Sequence, residues 1–215
     1  MRTGRGPLYL SGPDRRLLHL DVERWCAPPD AADRTVLAAC TGPVLDVGCG
    51  PGRMVTALAA RGRTTLGIDV NADAVRRTRA AGGPALTRSV FERLPREGHW
   101  RTALLVDGNI GIGGDPDALL TRLRRLLRAG GTLIAESTPG PPDRDECLHV
   151  RLHDGTRAHG TPFPWALLGT RALDRHAYTT GWTVTAAWTA GGRAFTALRT
   201  PGPPEEPPQE GAARG

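Results

Sequence analysis

The sequence predicts an α/β fold: a doubly wound, mainly parallel sheet with an antiparallel hairpin strand at its C-terminal end. Three observations predict it. From Pro43 onward, short apolar runs alternate with helical patterns, and parallel strands need crossovers of that kind. The first apolar run passes through three closely spaced glycines straight into a helical pattern, "GPVLDVGCGPGRMVTALAARG". Near the C-terminus "WTVTAAWTA" and "RAFTALRT" flank Gly191-Gly192, the pattern of a β-hairpin.

The elements follow in order. Residues 1–41 read as a helical lead-in or lid: "DRRLLHLDVERW" sets Leu17, Leu18, Leu20 and Val22 among charges, and the Pro28-Pro29 break separates it from a second short pattern ending at Cys40. Residues 42–200 hold the main domain. There "PVLDVG" is a strand, "RMVTALAARG" a helix with Gly62 at its end, "TTLGIDV" a strand and "NADAVRRTRAAG" a helix capped by Asn71 or Asp73. "PALTRSV" and "TALLVDG" follow as strands. In the next helix Asp115 is the cap, Pro116 fits the first turn, Leu119, Leu120, Leu123, Leu126 and Leu127 form one stripe, and Gly130 ends it. "GTLIAES" is then a buried strand. Residues 201–215, "PGPPEEPPQEGAARG", lack the large apolar groups that would offset their ordering entropy and are expected to form a disordered tail.

Composition excludes several chemistries. All 28 basic residues are Arg; without Lys there is no lysine Schiff base, no P-loop lysine and no lysine general base. The net charge of +6 comes with 22 acidic residues interspersed among the arginines, which argues against a nucleic-acid partner. Cys26, Cys40, Cys49 and Cys147 form no C-x-x-C pair and have no His at ligand spacing, so no metal site or disulfide framework is indicated. Reduced thiols, the lack of a signal-peptide core and the lack of a long apolar run point to a cytoplasmic protein without a membrane span.

In a doubly wound sheet the loop after the first strand meets the ligand. A dinucleotide fingerprint G-x-G-x-x-G would need its third Gly at position 53, where this chain has Arg, and the spacing here is G-x-G-x-G. Taken alone, Gly48, Gly50 and Gly52 fit a tight turn equally well. Two carboxylates add information. Asp46, just before the glycines, would repel a pyrophosphate and attract an ammonium group. Asp69, ending the second strand, can accept both hydroxyls of a ribose. A ligand with an amino acid at one end and a nucleoside at the other meets both requirements, and S-adenosylmethionine is such a ligand.

With "VLDVGCGPG", "GIDVN", "VDG" and "LRAGGTLIAES", the chain resembles the class I S-adenosylmethionine-dependent methyltransferases, in their small-molecule branch, over roughly residues 40–200. The resemblance implies a Rossmann-like fold and methyl transfer to a small-molecule substrate, by in-line displacement with catalysis mainly through positioning. It implies that the Gly48 to Gly52 backbone approaches the methionine moiety, that Asp46 supports its amino group, that Asp69 binds the ribose, and that Val70 and Asn71 border the adenosine. Where the family usually has a carboxylate for the adenine amino group, this chain has Ser89, with Val90 and Phe91 placed to cover the ring. Asp107, in "DGN" after the fourth strand, is either near the sulfonium or a turn residue. An Asn/Asp-Pro-Pro-aromatic motif, which marks family members that methylate nucleobase or glutamine nitrogens, is missing.

The acceptor side is read from position in the fold. His149, His153 and His159 lie in "CLHVRLHDGTRAHGTPFPW" after the fifth strand; they are loop or strand histidines, or, for His153 and His159, a general base. Trp25, Phe163 and Trp165 are core aromatics or the walls of an acceptor pocket, and the Gly191-Gly192 turn would bring Arg193 to the same edge. Two other readings compete. One is an NAD-dependent oxidoreductase, opposed by Arg53 and the missing Tyr-x-x-x-Lys; the other is a non-catalytic S-adenosylmethionine-binding regulatory subunit. An RNA methyltransferase ranks below both for want of an appended RNA-binding module.

Overall fold

A computed structural model describes residues 7–13 and 16–202. The tail expected over 201–215 therefore lies almost wholly outside the described residues.

The N-terminal region departs from the helical lead-in. It opens with a hairpin of β1 (Leu8–Ser11) and β2 (Leu17–Leu20), closed by Gly12 N–H donating to the carbonyl of Arg16 at 3.2 Å, before the short α1 (Val22–Cys26). Leu18 and Leu20 are half-buried and alternate with exposed Leu17 and His19, the strand period, and β1 is the partner that fixes it. In α2 (Ala31–Ala39), Asp30 and Asp33 form a reciprocal capping box: Asp33 N–H donates to Asp30 Oδ1 at 2.7 Å and Asp30 N–H to Asp33 Oδ2 at 3.0 Å.

The main domain follows the expected alternation: β3 (Val44–Val47), α3 (Arg53–Ala59), β4 (Thr65–Asp69), α4 (Ala72–Ala80), β5 (Ala85–Thr87), β6 (Trp100–Leu105), a 3₁₀ turn at Asn109–Gly111, α5 (Pro116–Leu126) and β7 (Leu127–Glu136). Asn71 is the residue that caps α4, accepting from Asp73 N–H and Ala74 N–H. Asp115 caps α5 and Pro116 begins it. Leu119, Leu120, Leu123 and Leu126 are fully buried. Leu127 leaves the helical stripe: its backbone is extended and it starts β7, so Gly130 lies inside that strand and does not terminate the helix. The chain ends with β8 (Asp145–His153), β9 (Ala158–Leu168), α6 (Thr170–Thr179), β10 (Thr183–Ala190) and β11 (Arg193–Arg199).

Seven strands form the main sheet in the order β10-β11-β7-β6-β3-β4-β5. Pairing is parallel from β7 to β5, and the β10–β11 hairpin inserts β11 antiparallel beside β7. The strand order reverses at β3, flanked by β4 and β6. At such a switch point the crossovers leave for opposite faces and a crevice opens at the carboxyl ends.

A second, four-stranded sheet, β2-β1-β8-β9, was not anticipated. The segment around His149 to Trp165 is a long hairpin, and β1 adds to its side with Leu10 opposite Leu152 and Tyr9 opposite His153. Pro162 and Pro164 break the strand pattern in the sequence, yet β9 is an edge strand, where a missing N–H costs no ladder bond.

Candidate functional site

The glycine turn is held by β4, α4 and the 3₁₀ turn. Gly48 and Cys49 N–H groups both donate to the Ile68 carbonyl, at 2.8 and 3.0 Å, and Asn109 Nδ2 donates to the carbonyls of Val47 and Gly48, each at 2.9 Å. Gly50 has φ of +53°, and a Cβ built on it would meet no atom within 4 Å. Its backbone thus faces open space. Gly52, at φ of +91°, is different: a Cβ there would collide with the Thr78 side chain of α4. The third glycine is required by packing of the turn against α4, and it does not line the cavity described below.

Asp69 organises the turn. Its Oδ2 accepts from Gly50 N–H and its Oδ1 from Asn71 N–H, both at 2.8 Å, which fixes the carboxylate and leaves lone pairs facing outward. Thr78 Oγ1 adds a bond to the Gly50 carbonyl at 2.9 Å. Asp46 stands in contrast. It is 1% exposed, its Oδ1 has no hydrogen-bond partner among the described residues, and burial, reinforced by nearby Asp107, pushes its carboxyl up to about 7. A buried carboxylate oxygen left unpaired is costly unless a donor or cation arrives.

Asp46, Gly48, Gly50, Asp69, Val70 and Asn71 come together on one cavity of about 450 Å³, within the usual size of small-molecule sites. Val70 is 74% exposed there although apolar. The opposite wall is supplied by α1 and the second sheet, with Leu8, Leu20, Trp25, Leu152, Phe163 and Trp165. Phe163 and Trp165 meet edge to face, centroids 6.2 Å apart. Trp25, Phe163 and Trp165 are therefore walls of the cavity.

Beneath the cavity lies an ion cluster. Arg53 pairs with Asp33 and Asp107, while Arg193 reaches Asp33 Oδ1 at 2.7 Å, Glu136 Oε2 at 2.7 Å and Asp107 Oδ1 at 3.1 Å. Arg24 of α1 adds a contact to Asp107 Oδ1 at 2.7 Å. Asp107 has positive φ, and its N–H donates to Glu136 Oε2 at 2.6 Å. Burial pushes the Asp107 carboxyl up, while burial of Asp33 is outweighed by Arg193, the Asp30 N–H and Arg53, which hold it down.

Several expected site residues fall elsewhere. Arg193 does not line the main cavity; its guanidinium is consumed by Glu136, Asp33 and Asp107. Val90 is 3% exposed in the apolar core. Ser89 N–H is bonded to Glu92 Oε2 and its Oγ accepts from Phe91 N–H; neither residue lines the cavity, whose corresponding side is Asp73, Ala74 and Arg77 of α4. His153 Nδ1 accepts from Gly155 N–H, and His159 pairs with Asp154 at 2.7 Å, both at the tip of the β8–β9 hairpin and outside the cavity. Burial pushes the Cys49 thiol up, so it stays protonated and supplies no nucleophile. Asn109 was quoted in the sequence only as part of "DGN"; its Asn-specific double donation to the turn is its structural signature.

The family model for a methyltransferase domain matches residues 44–131, from β3 into β7. That stretch holds the glycine turn, Asp46 and Asp69, and it is a methyltransferase domain. None of the curated proteins matches this methyltransferase. Solved structures share its fold. An S-adenosylmethionine-dependent methyltransferase from Bacteroides fragilis, in complex with S-adenosyl-L-homocysteine, is 22% identical, with a TM-score of 0.76 over 91% of this chain and 88% of that one. The 1,6-didemethyltoxoflavin-N1-methyltransferase of Burkholderia thailandensis is 16% identical, with a TM-score of 0.62 over 84% and 81%. The CcbJ methyltransferase of Streptomyces caelestis is 17% identical, with a TM-score of 0.59 over 81% and 96%. No helix among the described residues is long and apolar enough to cross a membrane.

Proposed function

We propose that this methyltransferase moves the methyl group of S-adenosylmethionine to a small-molecule acceptor. The observation that carries the reading is Asp46: a fully buried carboxylate with an unpaired oxygen, beside a turn whose other flank is the fixed carboxylate of Asp69. The pair fits an ammonium at one end and a diol at the other. The solved relatives bound to S-adenosyl-L-homocysteine support the assignment.

When bound, S-adenosylmethionine supplies a methyl carbon on positively charged sulfur; the acceptor's lone pair bonds that carbon, the C–S pair returns to sulfur, and any proton on the acceptor leaves to solvent. The chain's own residues bind and align. Asp46 holds the amino group, Asp69 the ribose hydroxyls, and Val70 and Asn71 border the nucleoside. Trp25, Phe163 and Trp165 exclude water, and fixing two reactants in line can supply about 7–11 kcal/mol of the barrier. Asp107 is the one carboxylate at the junction of donor and acceptor sides, but its oxygens are occupied by Arg24, Arg53 and Arg193, so it serves as a fixed wall and not as a base. A cytoplasmic location belongs to the same reading, supported by four cysteines that are all free.

Calorimetry with S-adenosylhomocysteine and with NAD tests the assignment. Saturable binding of the first and none of the second is expected, with Asp69→Ala weakening it at least ~10-fold, since a charge-assisted hydrogen bond contributes ~1.5–3 kcal/mol. Binding of NAD alone would overturn it, and binding without turnover on any acceptor would assign the regulatory role instead.

A further inference from the structure

A second cavity of about 280 Å³ adjoins the first. Leu10, Leu20, Trp25, Asp107 and Trp165 line both, so the two meet at a boundary that holds an indole from α1 and an indole from the β8–β9 hairpin. The second cavity runs from this boundary toward Leu18, Pro139 and Leu167. Its lining joins apolar and aromatic side chains to a polar side that runs from Asp21 and Arg24 to Glu136, Ser137 and Arg144.

The charged side chains on that polar side are matched with one another. Asp21 receives Arg24 Nε at 3.2 Å, Glu136 is held by Arg193, Asp107 by Arg24, Arg53 and Arg193, and Arg144 donates to Glu146 at 3.0 Å. His19 sets its ring edge-on against Tyr9. Two polar atoms of the lining have no hydrogen-bond partner among the described residues: Arg24 Nη1, which is ion-paired with Asp107 Oδ1 at 2.7 Å, and the uncharged Oγ of Ser137. Ser137 follows β7 and is 4% exposed. Buried hydroxyls are ordinarily paired, and an unpaired one on a residue that lines a cavity is a candidate partner for a ligand's polar atom.

We infer that the second cavity is the acceptor site, that its ligand is a planar, uncharged, largely apolar molecule bearing one hydroxyl or carbonyl oxygen, and that Ser137 is the specificity residue that recognises this oxygen. The inference rests on the methyl-transfer reading and narrows it. A charged acceptor would enter a cavity whose ions already have partners and would lose its hydration without compensation. A flat one can lie against the indoles of Trp25 and Trp165 and present its opposite edge to the boundary with the first cavity, from which the methyl group comes.

The probes are 2-naphthol and naphthalene, which have the same ring and differ by the oxygen, titrated against intrinsic tryptophan fluorescence with S-adenosylhomocysteine at saturation. Wild type is expected to bind 2-naphthol more tightly than naphthalene. Ser137→Ala should erase that preference, a loss of about 3- to 10-fold for 2-naphthol and none for naphthalene. Ser137→Leu should fill the cavity and block both, while calorimetry finds S-adenosylhomocysteine binding unchanged in both variants, which also shows that they fold. Equal binding of the two probes to wild type, a preference that survives Ser137→Ala, or probe binding that survives Ser137→Leu would each overturn the inference. Failure of wild type to bind S-adenosylhomocysteine would overturn the methyl-transfer reading, and this inference with it.

Discussion

The two walls of the main cavity are built in opposite ways. The floor is local: Asp46, the glycine turn, Asp69 and Asn71 fall within one strand–helix–strand unit, and its bonds run between neighbours such as Gly50 and Asp69. The cover is assembled from a distance: Leu10 of β1 faces Leu152 of β8, and Phe163 and Trp165 come from the strand beyond. A floor of this kind is set by backbone geometry, which few residue types satisfy. The cover is set by side-chain packing, which many can satisfy, so it is where acceptor choice can change without disturbing the donor side.

The sharpest break of that contrast is at Gly50. Its φ of +53° strains any β-branched residue, while the open space at its Cβ means that packing of the turn is untouched. Gly50→Val is expected to fold and to lose S-adenosylhomocysteine affinity by ~100-fold or more, because its side chain projects into the space that the ligand needs. A calorimetric titration reads this, and a retained affinity would move the ligand away from the turn.

Asp46 comes next, and its effect depends on pH. Without ligand, the folded state favours the neutral carboxyl, with the group displaced from 3.8 to about 7. Between those values the folded protein binds more protons than the unfolded chain, so this group's contribution to stability falls as pH rises through the window. Asp46→Asn removes the loss: the ligand-free variant should be more stable than wild type at pH 8, by several degrees in Tm, and not more stable near pH 3. Ligand binding should run the other way. An ammonium needs the ionised carboxylate, so wild-type affinity is expected to fall by about tenfold per unit below pH 7, and Asp46→Asn should bind weakly at every pH. A wild-type affinity that is flat from pH 8 to 5.5 would show that Asp46 does not meet the ammonium.

These two positions also show what a sequence can carry. The strand, turn, helix and second strand were legible because each signal is contiguous: an apolar run, three glycines, a carboxylate at a strand end, an Asn cap. The ion cluster was not, since Asp33 and Arg193 meet across 160 positions and no periodicity marks a pair that only folding creates. Arg193 was expected at the acceptor pocket and is instead spent on three carboxylates. The lid failed for a related reason. Leu17, Leu18 and Leu20 suit a short helix or a strand, and pairing with β1 decided it, while Val22 begins α1.

On the cover, Phe163→Ala should separate the two walls. Phe163 is half-buried against Trp165 and contacts the cavity but not the main core. Methyl transfer is expected to drop ~10-fold or more through lost water exclusion and acceptor placement, with S-adenosylhomocysteine affinity within about 3-fold of wild type. Loss of both together, with a lowered Tm, would make the ring a structural support of the floor.

The smallest effect is expected at the two histidines. His159 is exposed and paired with Asp154 in a turn that Asp154 also ties to Thr156 and Arg157, and His153 is engaged by the Gly155 N–H of the same tip. Neither lines the main cavity, whereas Leu152, next to His153, does, because successive strand residues face opposite sides. His153→Ala and His159→Ala should therefore leave turnover within about 2-fold from pH 6 to 9, with any loss confined to a small effect on stability, because the His159 pair is surface-exposed. A base, by contrast, would show a loss of turnover concentrated at the pH where the acceptor carries its proton. If His153→Ala produced such a profile, the hairpin tip would have to fold inward during turnover, and the division between a fixed floor and a merely shape-giving cover would no longer hold.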